Sequence, residues 1–509
     1  MDTACTITPT PAEKSTEERP PQDVIHWILG VSLALGIAAD GLLRSTPFGI
    51  NVALFAGLLC LALTGGWRRH REQTPCWHLL ALVLLLALGV AWRDCPVLHG
   101  LNLSAILTLL VLLTARPTRH GLNTTTLAAL GRNMFCGITQ ASYSPISLFG
   151  RETDWQQASQ KIQTNNTRRV LRGLGLALPL LLVFTLLFMA ADAVFTHIVE
   201  TTGERVADLM LENQYLAKHI VWSLVFFILA IFIVRPVTLG NRWEQTEVTP
   251  SWRPGTIELG IVIGSVLLLF LAFIAVQFRY LFGGDELVQT IPGLTYATYA
   301  RKGFFALLCV VFLVHLVLLA GAWLAQGADP HTARLYRVLG LALVILTGFV
   351  FASAFFRMHL YVDAYGLTRL RFYAVAILLW LAVVFAMLVV RLLYPRWSCF
   401  TSGTLYSALA LLLLLNLANP DGLIARVNLR RFTQGKDLDT EYLQKLSTDA
   451  IPVILDYEAH LSTEDHDALL AYIVINRTAD SGWRSWNLSR TRALRQAPDL
   501  AEIQRLLEN

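Results

Sequence analysis

The sequence predicts an all-α, polytopic membrane protein with about eleven transmembrane helices and a small C-terminal helical domain. Three observations predict it. Of 509 residues, 55% are hydrophobic and only 15% charged, with a mean hydropathy of +0.52, which is too apolar for a water-soluble globule. Apolar runs of about 20 residues, enough to cross a hydrocarbon core of roughly 30 Å, recur along most of the chain. No stretch alternates apolar and polar residues over a useful strand length.

The elements follow in order. Residues 1–24, rich in Thr, Pro and Glu and lacking the basic start of a secretory signal, are expected to form a disordered tail without a cleaved peptide. Candidate spans fall at 25–43, 48–66, 76–93, 98–115, 174–196, 219–239, 256–282, 303–325, 336–357, 371–394 and 403–418. They define a four-helix region (25–115), a basic loop (116–173) and a seven-helix region (174–418), followed by the C-terminal domain (419–509). In that domain apolar residues return at helical spacing, and Ser462-Thr463-Glu464-Asp465 has the hydroxyl-then-acid pattern of a helix start. The seven cysteines show no CxxC and no paired spacing, so they are read as packing residues; no metal site and no cofactor is expected.

Charge sets the orientation, because Lys and Arg are retained on the cytoplasmic side. With the N-terminus inside, inner segments before the sixth span hold 13 Lys/Arg and outer segments hold four, Arg44, Arg93, Arg205 and Lys218. The long loop supplies eight, among them Arg168, Arg169 and Arg172, which could hold anionic lipid headgroups. Their dispersal argues against nucleic acid as a partner, and positive-inside bias alone also accounts for them. Eleven spans place the C-terminal domain outside, and its net charge of −3 leaves +8 to the rest of the chain.

On this topology two outward segments gather polar residues. "RYLFGGDELVQTIPGLTYATYARKGFF" carries Arg279, Tyr299 and Arg301, while "FRMHLYVDAYGLTRLRF" carries Arg357, His359, Tyr361, Asp363, Tyr365 and Arg369. On a continuous helix Arg357, Tyr361 and Tyr365 share one side, and His359 and Asp363, one turn apart, share another. A carboxylate beside an imidazole raises its basicity, making His359 and Asp363 the catalytic candidates; the other six, with Arg279, are ligand-binding candidates. The same residues also suit helix ends at a membrane surface, where Tyr and Arg snorkel. Asp40 and Asp192 are acids inside apolar runs, costing about 2.5 to 3.5 kcal/mol each unless paired; either could pair with an outer arginine such as Arg279 or Arg357, as a salt bridge fastening two helices or as part of a polar pocket.

Phosphate-loop, HExxH, GxSxG and kinase signatures are absent. The first outer loop, about four residues around Ser45, is too short for the acidic catalytic loop of a lipid-linked-sugar glycosyltransferase. Whether the protein is an enzyme stays open, leaning to no.

Five motifs, "ADAVF" after residue 190, "YARKGFF" (Tyr299–Phe305), "RMHLYVDAYGLTRLR" (Arg357–Arg371), "NPDGLIARVNLRR" (Asn419–Arg431) and "WRSWNLSRTRAL" (Trp483–Leu494), occur in that order. With them the chain resembles the bacterial multi-pass membrane family catalogued as Domain of Unknown Function 4173, or the closely related 4153. It departs from the family's usual Ala-Asp-Pro with Ala-Asp-Ala at 191–193. The resemblance implies a bacterial inner-membrane protein and carries no mechanism. The expected function is a binding, sensing or transport-related module with an outward polar cluster, taking a small molecule or an envelope protein. Alternatives are a membrane enzyme acting on a lipid-linked substrate at the outer interface, and an envelope assembly factor in which "WRSWNLSR" packs the tail onto the outer loops.

Overall fold

The computed structural model describes residues 20–44, 46–69, 76–115, 127–153, parts of 173–201, 214–240, 255–282, 296–325, 328–394, 399–478 and 482–496. Helices α1 (Gln22–Leu43), α2 (Ile50–Arg69), α3 (Trp77–Trp92), α4 (Pro96–Ala115) and α5 (Leu127–Ser147) come first. Then come α6 (Gln214–Leu239), α7 (Thr256–Phe282), α8 (Tyr296–Leu324), α9 (Pro330–Tyr365), α10 (Arg369–Leu393) and α11 (Phe400–Ala418). Five shorter helices close the chain: α12 (Pro420–Thr433), α13 (Thr440–Leu443), α14 (Ile451–Asp456), α15 (Thr463–Thr478) and α16 (Leu488–Gln496). Among the described residues there is no strand.

Nine of the described helices are long and apolar enough to cross a membrane: α1, α2, α4 and α6–α11. The protein is therefore membrane-embedded. The third predicted span corresponds to α3, which is apolar but 16 residues long. The run at 174–196 is only partly described, its described residues helical apart from Asp192. The N-terminal tail to residue 19 lies outside the described residues.

Within residues 116–173, expected as a basic loop between spans, the structure has α5 and the π-helical turn Leu148–Glu152. Helix α5 is inverted relative to a water-facing amphipathic helix. Its polar Asn133, Gln140, Ser144 and Ser147 are buried, while Phe135, Ile138, Tyr143 and Ile146 are exposed. That polarity suits a helix lying against lipid, and the apolar-stripe rule does not find it.

The chain divides into two compact units. The first comprises Met1–Asp40, Leu61–Pro75 and Thr139–Gly240. Here α1 and α6 approach closely, because Gly36 leaves no room for a side chain: a Cβ would lie 2.6 Å from the Ser223 carbonyl oxygen. Arg235 on α6 and Glu152 form a buried ion pair, with Arg235 Nε to Glu152 Oε2 at 3.1 Å and Ser147 Oγ donating to Glu152 Oε1 at 2.8 Å. Asp40 pairs with His219, whose ring is on α6.

The second unit comprises Gly41–Cys60, Cys76–Ile138 and Asn241–Asn509. Helices α7–α10 close on Ile263, Phe304, Val311, Leu343, Met358, Leu381 and Leu388. Helices α3 and α4 form a hairpin against which α11 packs. The residues after Asn419 surround a separate core of Ile424, Leu429, Leu443, Ile451, Leu469 and Ala493, with Leu367 and Phe372 resting on it.

Candidate functional site

Within the second unit, polar residues from several turns and from the C-terminal helices converge at one end of the helical bundle. The junction of α11 and α12 sets the geometry. Asn419 has φ 53°, a left-handed conformation that Asn tolerates, and it both ends α11 and caps α12 by accepting from Gly422 N at 3.1 Å. Pro420 at the first helical position is pre-set for a new start. The last span thus bends directly into the C-terminal domain with no intervening linker.

The α9–α10 turn is held by this domain. Arg369 grips Asp421 through two bonds, Nε to Oδ1 at 2.9 Å and Nη2 to Oδ2 at 2.5 Å. Arg369 N donates to the Tyr442 hydroxyl at 2.6 Å. Asn428 pairs with the backbone of Leu367 in both directions, at 2.7 and 2.8 Å, as one peptide would pair with another. Gly366, at φ 74°, sits where a Cβ would strike Asn428 Oδ1 at 2.6 Å, so the close approach and the backbone angle both call for glycine. Burial alone would raise the pKa of Asp421. The Arg369 ion pair and the bonds from Ser447 outweigh it and hold the carboxyl below the usual range.

The α3–α4 turn is held in the same manner. Arg490 of α16 pairs with Asp94, its Nε lying 3.3 Å from Oδ2, and Thr448 Oγ1 donates to the same oxygen at 2.7 Å. Asp94 N donates to Asp449 Oδ2 at 2.9 Å, and Arg93 lies 3.6 Å from Asp449 Oδ1. Asp449 is 3% exposed; burial, with some help from Asp94, pushes its pKa up. Arg93 also donates from Nε to the Asn416 carbonyl at 2.6 Å, and Asn416 exchanges amide hydrogen bonds with Asn102 at 2.9 and 3.0 Å. Asn487 donates to the carbonyls of Val90 and Arg93 at 2.9 and 2.7 Å while its Oδ1 caps α16.

The α1–α2 turn is the third point of attachment. Arg484 Nη1 donates to Gly41 O at 2.6 Å, and Ile50 N donates to Trp486 O at 2.9 Å. A Cβ at Gly49 would lie 2.6 Å from the carbonyl oxygens of Ser485 and Trp486. Because these are backbone atoms, Gly49→Ala should weaken docking by about 1–3 kcal/mol. The readout is faster proteolytic release of the C-terminal domain from purified full-length protein. Gly100→Ala, where a Cβ meets nothing within 4 Å, should leave the rate unchanged. Touching all three turns, the domain lies on their side of the bundle, while α4 leads from Pro96 on that side to Ala115 on the other.

The residues singled out from the sequence distribute as follows. Arg369 is part of the clamp. Tyr361 lies under the Arg371 guanidinium, 3.9 Å from its ring centroid, and packs edge-on against Tyr365, whose carbonyl accepts from Arg371 at 3.1 Å. Arg357 is buried. Asp363 is exposed and contributes its backbone carbonyl, which accepts from Arg431 at 2.6 Å. His359 is exposed, and no hydrogen bond joins it to Asp363 among the described residues. It borders an apolar groove of about 630 Å³ between α9 and α10, lined by Phe351, Phe355, Phe356, Leu378 and Leu379.

Asp40 meets His219, and Asp192 is exposed and accepts from Phe195 N at 3.0 Å as a helix cap. Arg279 falls on α7 and Tyr299 and Arg301 on α8, but their side chains lie outside the described residues, as do Arg168, Arg169 and Arg172. Sequence reasoning missed Asp94, Asp421, Asn428, Asp449 and Arg490. Three had a signal in the motifs, since Asp421 and Asn428 stand in "NPDGLIARVNLRR" and Arg490 in "WRSWNLSR", while Asp94 and Asp449 stand in none of them.

A family model described as "Domain of unknown function (DUF4153)" matches residues 80–457, well over half of the chain. The match takes in the clamp from Arg93 to Asp449 and stops short of "WRSWNLSR". No curated protein and no solved structure matches the chain.

Proposed function

The chain belongs to the DUF4153 family, whose function is unknown, and from that premise we propose that it is a non-catalytic membrane platform presenting its C-terminal helical domain to an envelope partner. The observation that carries this reading is the mutual engagement of the polar residues that clamp the C-terminal domain to the turns. Arg369, Asp421, Asn428, Asp94, Arg490 and Asp449 bind one another across the domain boundary, and the His359–Asp363 pair lacks the mutual hydrogen bond of an oriented base. Trp483 and Trp486 are largely exposed beside the α1–α2 turn, as suits aromatic anchors at the membrane surface. Helix α4 ends at Ala115 on the side opposite the domain, and the basic segment follows it in the sequence; positive-inside bias therefore supports a domain outside the cytoplasm.

A second reading has its own observation, the apolar groove beside His359, which fits the hydrocarbon chain of a lipid-linked ligand. Photocrosslinking in cells separates the two. A probe at exposed Glu441 should capture an envelope protein, while one at Phe356 should capture only bulk lipid; a lipid-linked ligand captured at Phe356, with no protein captured at Glu441, favours the groove. Complementation of a deletion strain should survive His359→Gln and Asp363→Asn at unchanged protein level. Failure of both variants would return the pair to the catalytic candidates and overturn the platform.

A further inference from the structure

We infer that the cleft between the ends of α8, α9 and α10, at the end of the second unit away from the docked domain, binds the phosphate headgroup of an anionic phospholipid. The cleft has a volume of about 300 Å³ and is walled by Ala322, Ala325, Leu388 and Leu392, with Tyr336 at its side. Arg337 and Arg391 are its two cations. Tyr336 contributes only its ring, because its hydroxyl donates to the Leu318 carbonyl at 2.6 Å.

Both arginines are set in place. Arg337 Nε donates to Ala333 O at 3.3 Å, leaving its two Nη groups for an anion. The Arg391 guanidinium stands 5.6 Å from the Phe400 ring centroid. Neither pairs with a carboxylate among the described residues, and Asp329, the residue before α9, is engaged in capping it by accepting from Thr332 N at 3.1 Å. Two planar forks over an apolar floor suit the oxygens of a phosphodiester, and basic clefts between membrane helices hold such headgroups.

The ligand's source follows from the surroundings. Val338 and Val390, next to the two arginines, and Leu393 are exposed on the outer faces of α9 and α10. They continue the cleft as an apolar surface on which acyl chains can lie, a feature that free phosphate would not use. The cleft is separate from the clamp and does not depend on the platform reading.

The test uses purified full-length protein in a neutral detergent, titrated with phosphatidylglycerol, phosphatidylcholine or inorganic phosphate while Tm is followed, since a ligand of the folded state raises Tm. Phosphatidylglycerol should raise Tm and the other two should not. Arg337→Gln and Arg391→Gln should each weaken the effect about tenfold with lipid-free Tm unchanged. Arg334→Gln, a neighbouring exposed arginine outside the cleft, should not weaken it. Stabilisation of Arg337→Gln and Arg391→Gln equal to that of wild type, or an equal loss in all three variants, would overturn the site. An arginine-dependent response to inorganic phosphate alone would overturn the lipid assignment in favour of a soluble anion.

Discussion

In Arg369→Ala the C-terminal domain should come away from the membrane bundle. Asp421, at 0% exposure, would keep its Ser447 bond but lose both guanidinium bonds, and a buried carboxylate deprived of its partner costs about 3–5 kcal/mol. Limited proteolysis of the full-length protein should release the domain quickly from this variant and slowly from wild type. A paired replacement, Arg369→Met with Asp421→Leu, should do less damage than Arg369→Ala, because no orphaned charge is left behind. Unchanged proteolysis in Arg369→Ala would remove this pair from the clamp.

Acid should act in the same direction. The folded-state pKa of Asp421 lies below its ordinary value, so its contribution is present above the ordinary carboxylate range and is lost as pH falls through the lowered pKa. Asp449 has the opposite sign: with its pKa raised, it favours the docked state below the ordinary range and loses that contribution as pH rises through the raised value. In Asp449→Asn the acid-induced release should therefore follow Asp421 alone.

Glu152→Ala is expected to be equally severe in the first unit. Arg235 is 5% exposed and Glu152 2% exposed, within and beside a membrane-spanning helix, so removing the acid leaves a buried guanidinium without its counter-charge at a cost again of about 3–5 kcal/mol. Membrane-inserted protein should fall sharply in quantitative blots, and Arg235→Ala should do the same. Glu152→Gln, which keeps an acceptor for Arg235 and Ser147, should lose less.

The spans were legible because an apolar run of membrane length has few other readings, and α6 to α11 fall where hydropathy places them. Helix α5 was not, since its buried stripe is polar and its exposed face apolar, the reverse of the pattern sought. The motifs could be read one by one, but their joining could not: Arg369 and Asp421 are 52 residues apart, and Asp94 and Arg490 are 396 apart. A single sequence carries no sign that such distant charges meet. Proximity along a helix instead drew attention to His359 and Asp363, which face outward without a mutual bond.

Asn419 carries a mechanical consequence. With one left-handed residue between the last span and the domain, there is no slack: a pull on the domain is a pull on α11. Through Asn416 that load reaches Asn102 on α4 and Arg93 before it. A load on the domain would thus tilt or twist a membrane helix, where a tethered domain would leave the span undisturbed.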